Sequence, residues 1–400
     1  MGNTIERHAR RIKQLQEVLR ERRLAGALLF YSRDILYYTG TAQPAYLVVL
    51  PDDVRLFVRR GYEFARAECA LEAERVIAES SIARVCQQMF PGAGTGEQVG
   101  SELDLLTVVQ ASGFRRALNE RELVDISDDI LGQRMIKDAG EVESVAKACT
   151  ATHAGHLALV AGARAGMSEL ELAAMIENAQ RLAGHEGAFF MRGPDFVMSR
   201  GPFASGPSLR RTSGVAYTIT GIGLSSAVPA GPSRRIAQRG DLLLADIPTC
   251  VDGYHSDQSR SYALEVFPEG AVDLFARLRA VADHVIARLA CGMKAGEVFA
   301  LAEERAAALG LGEAFLGFDA QPRAHFVGHG VGLELNEPPL LVCKGQSVLQ
   351  AGMVLAIEMH AMEAGGHTIK LEDTVHLTSN GVDILTLSPR ELTLAGVAAT

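Results

Sequence analysis

A chain of 400 residues exceeds the usual size of a single hydrophobic core, and 48% hydrophobic with 22% charged residues describe globular material, so two domains are expected. A formal net charge of −9 with interspersed signs argues against nucleic acid and membrane surfaces as partners and leaves small solutes or short peptides. No apolar run is long enough to span a bilayer, and the opening MGNTIERHARRIKQLQ reads as a charged helix without a signal-peptide core, so a cytoplasmic location is expected.

In chain order, Ile12, Leu15, Val18 and Leu19 recur at helical spacing, and Gly26 ends that pattern ahead of the apolar run Ala27 to Tyr31, so a helix precedes a strand. Tyr46 to Leu50 and Val54 to Val58 flank Pro51-Asp52-Asp53 as a hairpin. Helix and strand keep alternating to about Leu131, an α/β region with few chemical residues whose role is structural or to shape a partner's site. Near Met135 the pattern changes. Glu141 to Val160 reads as a long amphipathic helix, and Ser168 with Glu171 three residues later forms a capping box that opens another. The domains are therefore placed at 1–134 and 135–400. From Phe189 to Pro232 the chain is rich in Gly, Pro, Ser and Arg, with short β-like pieces such as Ala216 to Thr220, and long irregular stretches are more often functional than idle. Helices at about Val272 to Leu289 and Gly296 to Ala308 lie further on. The six cysteines show neither Cys-x-x-Cys nor zinc-type spacing and read as reduced core thiols, with Cys250 inside a hairpin loop.

Chemistry concentrates in the second half. Leu242 to Ala245 reads as a buried strand that ends on Asp246, and a buried carboxylate must be neutralised, hydrogen-bonded or metal-bound. Asp252-Gly253 signals a turn, and a second strand-like run, Tyr254 to Leu264, carries Asp257. A hairpin centred between Val251 and Asp252 sets Asp246 opposite Asp257, with Cβ atoms about 5 Å apart. Like charges there repel unless a cation lies between them; the competing reading makes Asp246 a loop cap and Asp257 a solvated charge. His329 lies in HFVGHGVGLELNEPP among Gly328, Gly330 and Gly332, which let backbone pass close to a site. Glu358 ends the run Val354 to Ile357, Glu372 follows Ile369 to Leu371, and the two are symmetric about Gly365, so they too face each other across a hairpin. Singly each has a plain structural explanation. Together, four carboxylates and an imidazole suit two adjacent divalent ions with a water between them.

These five residues, in this order and within LLADIPTCVDGYHSDQSRS, GHGVGLELNEPP, AIEMH and IKLEDTV, resemble the dinuclear-metal pita-bread family of aminopeptidase P, prolidase, methionine aminopeptidase and creatinase. ILYYTG at 35–40 extends the resemblance to the first domain. It implies an α+β protein: a creatinase/prolidase-like α/β N-terminal domain over 1–134, then a pita-bread catalytic domain over 135–400, with pseudo-related βαβ halves on a curved sheet. It also implies two divalent ions, manganese foremost, with cobalt, iron or zinc as alternatives. Asp257 and Glu372 would bridge both ions, Asp246 would serve one, and His329 with Glu358 the other. Glu358 would take a proton from the bridging water. The implied reaction is hydrolysis of a C–N bond in an Xaa-Pro peptide or small amide, by a homodimer in which the N-terminal domain borders the other subunit's site.

The sequence departs from that family at two places. Where its peptidases carry a histidine in a Pro-His segment upstream of the first Asp, this chain reads Val228-Pro229-Ala230-Gly231, and where a second histidine follows the GHG motif it has Asn336. Asn336 keeps a donor; Ala230 has none. His325 matches a substrate-facing histidine of the aminopeptidase P and prolidase branch. Lys370 stands where prolidase-like members carry Arg, to hold a substrate carboxylate or to balance the acidic residues. Arg192, with Arg200 and Arg210, is a candidate for meeting an anionic group. The departures keep two alternatives open, a lyase of the dimethylsulfoniopropionate type and a non-catalytic binding module, although Pro248 stands where that lyase carries an extra Asp.

Overall fold

In the computed structural model, which describes residues 2–193, 200–213 and 218–397, the chain divides into two units, Met1–Arg134 and Met135–Thr400. The first contains helices α1 (Gly2–Glu21), α2 (Ser32–Thr39), α3 (Tyr62–Glu68), α4 (Ile82–Met89), α5 (Val108–Ala117) and α6 (Ser127–Met135). Its strands are β1 (Gly26–Leu29), β2 (Ala45–Val49), β3 (Val54–Val58), β4 (Val76–Ala78), β5 (Gln98–Ser101) and β6 (Glu122–Asp125), which form one sheet in the order β4-β3-β2-β1-β5-β6. The expected hairpin is β2–β3, antiparallel with Val49 opposite Val54, while the outer strands are parallel, as helical crossovers require. Leu28, Val48, Phe57, Val99 and Phe114 share the core of this unit.

The second unit opens with α7 (Ala139–Gly162) and α8 (Glu169–Leu182). Asp138 caps α7, and the Ser168/Glu171 box caps α8 reciprocally, as its spacing predicts. The strands β7 (Phe203–Ser205), β8 (Leu242–Asp246), β9 (Thr249–Val251), β10 (Tyr254–Ser256) and β11 (Ser259–Leu264) follow. A second helix pair, α9 (Ala271–Ile286) and α10 (Ala295–Ala308), precedes β12 (Phe326–Gly330), β13 (Glu337–Val342), β14 (Val354–Met362), β15 (Thr368–Thr378), β16 (Gly381–Ile384) and β17 (Thr393–Ala395). Each half thus runs from a packed helix pair into antiparallel strands. Among the described residues the sheets are ordered β17-β11-β8-β7 and β13-β12-β14-β15-β16, with β9 and β10 as a separate ribbon.

Hydroxyls join the two larger sheets where β11 meets β15. Ser261 Oγ donates to the Lys370 carbonyl and accepts from its N–H, both at 2.9 Å. Thr374 Oγ1 donates to the Asp257 carbonyl at 2.7 Å and accepts from its N–H at 3.0 Å. The junction strands β8, β11 and β14 are buried at every position, which suits the apolar stretches at 242–245, 262–264 and 354–357 and leaves their polar residues buried as well.

Several sequence expectations need correction. Asp252 and Gly253 both take positive φ, 52° and 78°, so the turn centres on them, and β9 pairs Val251 with Tyr254. The register is therefore two residues away from the expected one. Asp246 lies opposite Ser259 at the end of that ladder, and Asp257, two residues before Ser259, lies just beyond it, with both aspartates lining one cavity. The run Tyr254 to Leu264 is two strands, interrupted at Asp257 and Gln258. Cys250 sits on β9 rather than in a loop, and although Cys86, Cys149 and Cys250 are buried, Cys291 and Cys343 are exposed. The β-like piece Ala216 to Thr220 falls partly outside the described residues, and Thr218 to Thr220 form no strand.

Helix α7 carries a pH-sensitive contact. His156 Nδ1 lies 3.0 Å from Tyr262 Oη, and its ring stacks on His153 with centroids 5.5 Å apart. Burial, then the neighbouring His153 and Arg260, push His156 down to about 4. The unfolded chain takes a proton near 6.5 that the folded chain refuses until about 4, so stability present above that window is lost as pH falls through it, by on the order of 2 kcal/mol. In His156→Gln the decline of Tm between these pH values should flatten; an unchanged slope would remove His156 as its source.

Candidate metal centre

Each acidic residue is delivered by a different local device. Asp246 ends β8, and Asp257 occupies the break between β10 and β11, where Thr374 holds its backbone on both sides. His329 lies on β12, opposite Ala356 of β14 and Leu340 of β13. Its Nδ1 donates to the Gly330 carbonyl at 3.0 Å, so Nε2 is the nitrogen that would bind a cation. That nitrogen is 3.5 Å from Glu358 Oε1 and 3.6 Å from Asp257 Oδ2. Gly328, at φ +157°, brings β12 so close to β14 that a Cβ would overlap the Ala356 carbonyl oxygen. Glu358 and Glu372 are directly opposed across β14 and β15, and Glu372 Oε2 accepts a 2.6 Å bond from Ser259 Oγ.

Lys370 enters the same cluster. Two residues before Glu372 on β15, it points to the same face, and its Nζ lies 2.7 Å from Asp246 Oδ2, 2.7 Å from Glu358 Oε2 and 3.4 Å from Glu372 Oε2. It also donates to Thr218 Oγ1 at 3.0 Å. All five ligand candidates and Lys370 are buried. Burial, followed by the charge of Asp246, lifts Asp257 to about 7. Burial, followed by Asp257, lifts Glu372 well above the usual carboxylate range. Burial acts against the charge of Glu358 as well, but Lys370 and His329 outweigh it and hold that carboxyl well below its usual value.

The donor chemistry fits a divalent cation. Ligand atoms of Asp257, His329 and Glu372 lie within 4.8 Å of one another, and four buried carboxylates face a single ammonium. Burial raises Asp246 too, despite Lys370 at 2.7 Å, so three of the four carboxylates stay above their usual range and one ammonium does not neutralise the cluster.

A cavity of about 440 Å³ opens on this cluster. Its walls are largely apolar, with Met191, Pro202, Pro248, Phe326, Leu335, Leu340 and Val342, and a space of this size takes a small molecule or dipeptide. His325 and Asn336 line it and are exposed. Arg192 is half-buried, 3.9 Å from the buried Glu334, and is not part of the described lining. Arg200 bonds the Gly187 carbonyl, and Arg210 is held by Asp319 and the Glu363 and Gly366 carbonyls. Ala230 is buried and does not belong to that lining. Ser259, Thr218 and Thr374 are contributors that sequence reasoning missed. Ser259 and Ser261 alternate on one face of β11, a signal that was available; Thr218 is brought in by tertiary folding alone.

Comparison with known proteins agrees with this geometry. Residues 143–379 match the profile of Metallopeptidase family M24, and residues 11–136 that of the Creatinase/Prolidase N-terminal domain. The Xaa-Pro dipeptidase of Pyrococcus furiosus is 26% identical over 388 residues, covering 96% of this chain and 99% of that protein. Among solved structures, an Xaa-Pro dipeptidase from Bacillus anthracis superposes with a TM-score of 0.80 at 23% identity, covering 97% of this chain and 99% of that one. The prolidase from Pyrococcus furiosus gives a TM-score of 0.75 at 25% identity, covering 94% and 99%. With the acidic cluster, the creatinase-type first domain and the pita-bread second domain in place, the chain belongs to metallopeptidase family M24 and is a metallopeptidase-like hydrolase.

Proposed function

We propose that this protein is a divalent-metal-dependent hydrolase of the aminopeptidase P/prolidase type, cleaving the C–N bond of an Xaa-Pro dipeptide, short peptide or small amide. The observation that carries the reading is the convergence of Asp257, His329 and Glu372 at the floor of an apolar cavity of about 440 Å³, with Asp246 and Glu358 beside them. Asp246, Asp257, His329, Glu358 and Glu372 would hold the metal; the resemblance implies two ions, with manganese the first to try and cobalt, iron and zinc behind it. Bound divalent ions make a water more acidic and polarise a carbonyl.

The chain's own groups supply the rest. The resemblance implies that Glu358 accepts the proton of an attacking water; Lys370, 2.7 Å away, keeps this carboxylate ionised while making it a weaker base. The apolar wall from Phe326 to Val342 seats a proline ring or short aliphatic group and excludes bulk water. His325 and Asn336 at the cavity wall present hydrogen-bonding groups to a substrate. A homodimer in the cytoplasm belongs to the same reading; no described helix is long and apolar enough to cross a membrane.

The test is a panel of Xaa-Pro dipeptides, longer Xaa-Pro peptides and small N-acyl amides, offered to protein loaded with manganese and to the same protein after chelation. Release of product by the loaded form alone is expected. A loaded protein that leaves the whole panel intact would refute the assignment.

A further inference from the structure

Four carboxylates and one ammonium share the centre, but the ammonium is not shared equally. Lys370 Nζ makes its two closest contacts with Asp246 and Glu358, at 2.7 Å each, and approaches Glu372 only to 3.4 Å. Asp257, His329 and Glu372 have ligand atoms mutually within 4.8 Å; Asp246 and Glu358 do not join that group. Glu358 Oε1 still lies 3.5 Å from His329 Nε2, so trio and pair adjoin, but the two short contacts of the ammonium both fall within the pair.

We infer that the Lys370 ammonium occupies the place of a second cation, so that the centre holds one divalent ion per chain, taken by Asp257, His329 and Glu372. This rests on the metal-dependent reading above and narrows it. Charge supports it. Four carboxylates with neutral His329 carry four negative charges; Lys370 leaves three, and one divalent ion leaves one. A second ion would make the buried cluster net positive while Lys370 remains, or would have to expel a buried ammonium from two short ion pairs. Breaking such pairs is strongly unfavourable. Lysine, a compact point charge on a straight stem, fits between two carboxylates where a forked guanidinium would not. Thr218 Oγ1, 3.0 Å from Nζ, accepts a further hydrogen bond and leaves the ammonium well satisfied where it stands.

The measurement is manganese bound per full-length chain, made on tag-free protein saturated with manganese, gel-filtered and assayed by plasma mass spectrometry, with electron paramagnetic resonance on the same samples. The parent should retain about one ion per chain and show the spectrum of isolated manganese(II). Lys370→Met should retain about two, with the spin-coupled spectrum of a pair. Lys370→Gln, which keeps a polar group, serves as the second variant should the methionine variant fail to fold, and thermal melts report which of them is intact. Two ions in the parent, or one ion still in a folded Lys370 variant, would overturn the inference and leave the metal-dependent reading standing. No ion in either protein would overturn both.

Discussion

Asp257→Asn is expected to stay folded yet retain less than about a tenth of the parent's divalent metal, and to lose hydrolysis by roughly a thousandfold or more. Asp257 belongs to the trio whose ligand atoms converge, and its backbone is held independently by Thr374, so losing the charge need not move the chain. The substitution removes one of four crowded buried carboxylates, so the metal-free variant should melt at or above the temperature of the metal-free parent. That pairing of signs separates a ligand from a structural acid: losing a structural ion pair lowers Tm, whereas losing a ligand lowers metal content and leaves the apoprotein unharmed. Metal content is measured by plasma mass spectrometry and Tm by calorimetry. Asp319→Asn, which alters an exposed partner of Arg210 away from the cavity, is the control and should change activity less than about twofold. Parent-level metal in Asp257→Asn would remove this residue from the ligand set.

How much of this could be read from sequence depends on which interaction places each residue. The facing of Glu358 and Glu372 follows from one hairpin whose arms are symmetric about Gly365, a local property, and the structure pairs them directly. For Asp246 and Asp257 the same reasoning misjudged the register by two residues, because Asp252 tolerates a positive φ and the turn takes both Asp252 and Gly253 at its centre. A shift of two keeps side chains on the same face, so both aspartates still reach the site. A shift of one would have sent Asp257 away. The helix cap at Ser168 and the hairpin at Pro51 are also local. What stayed hidden is the contact between β8, β11 and β15. Spacing places Lys370 on the face of Glu372, but only the joining of the two halves by Ser261 and Thr374 brings its ammonium against Asp246.

The same junction makes Arg260→Met the largest expected loss of stability, about 3–5 kcal/mol, or a fall in Tm of about 10 °C or more. The Arg260 side chain is buried at 1% exposure beneath the metal centre. It donates to the carbonyls of Pro389 at 2.8 Å, Ser259 at 3.0 Å and Ser388 at 3.0 Å, to the Glu372 carbonyl, and to Asp373 Oδ1 at 2.6 Å. Methionine fills much of the same volume but strands these acceptors. Asp373 keeps Arg390 at 2.7 Å and Thr386 at 2.8 Å, and those partners set the lower end of the range. Since Arg260 grips Ser259 and Glu372 through backbone and touches no ligand atom, its removal should weaken metal binding about 10- to 100-fold, less than the loss of Asp257. A double variant, Arg260→Met with Asp373→Leu, removes the stranded charge as well and should be less destabilised than the sum of the two singles, by about 1 kcal/mol or more. Denaturant titration of the four proteins measures this directly. Additive single costs would mean that Arg260 stabilises the junction through its carbonyl contacts alone, and that the ion pair with Asp373 contributes nothing to holding Glu372 in place.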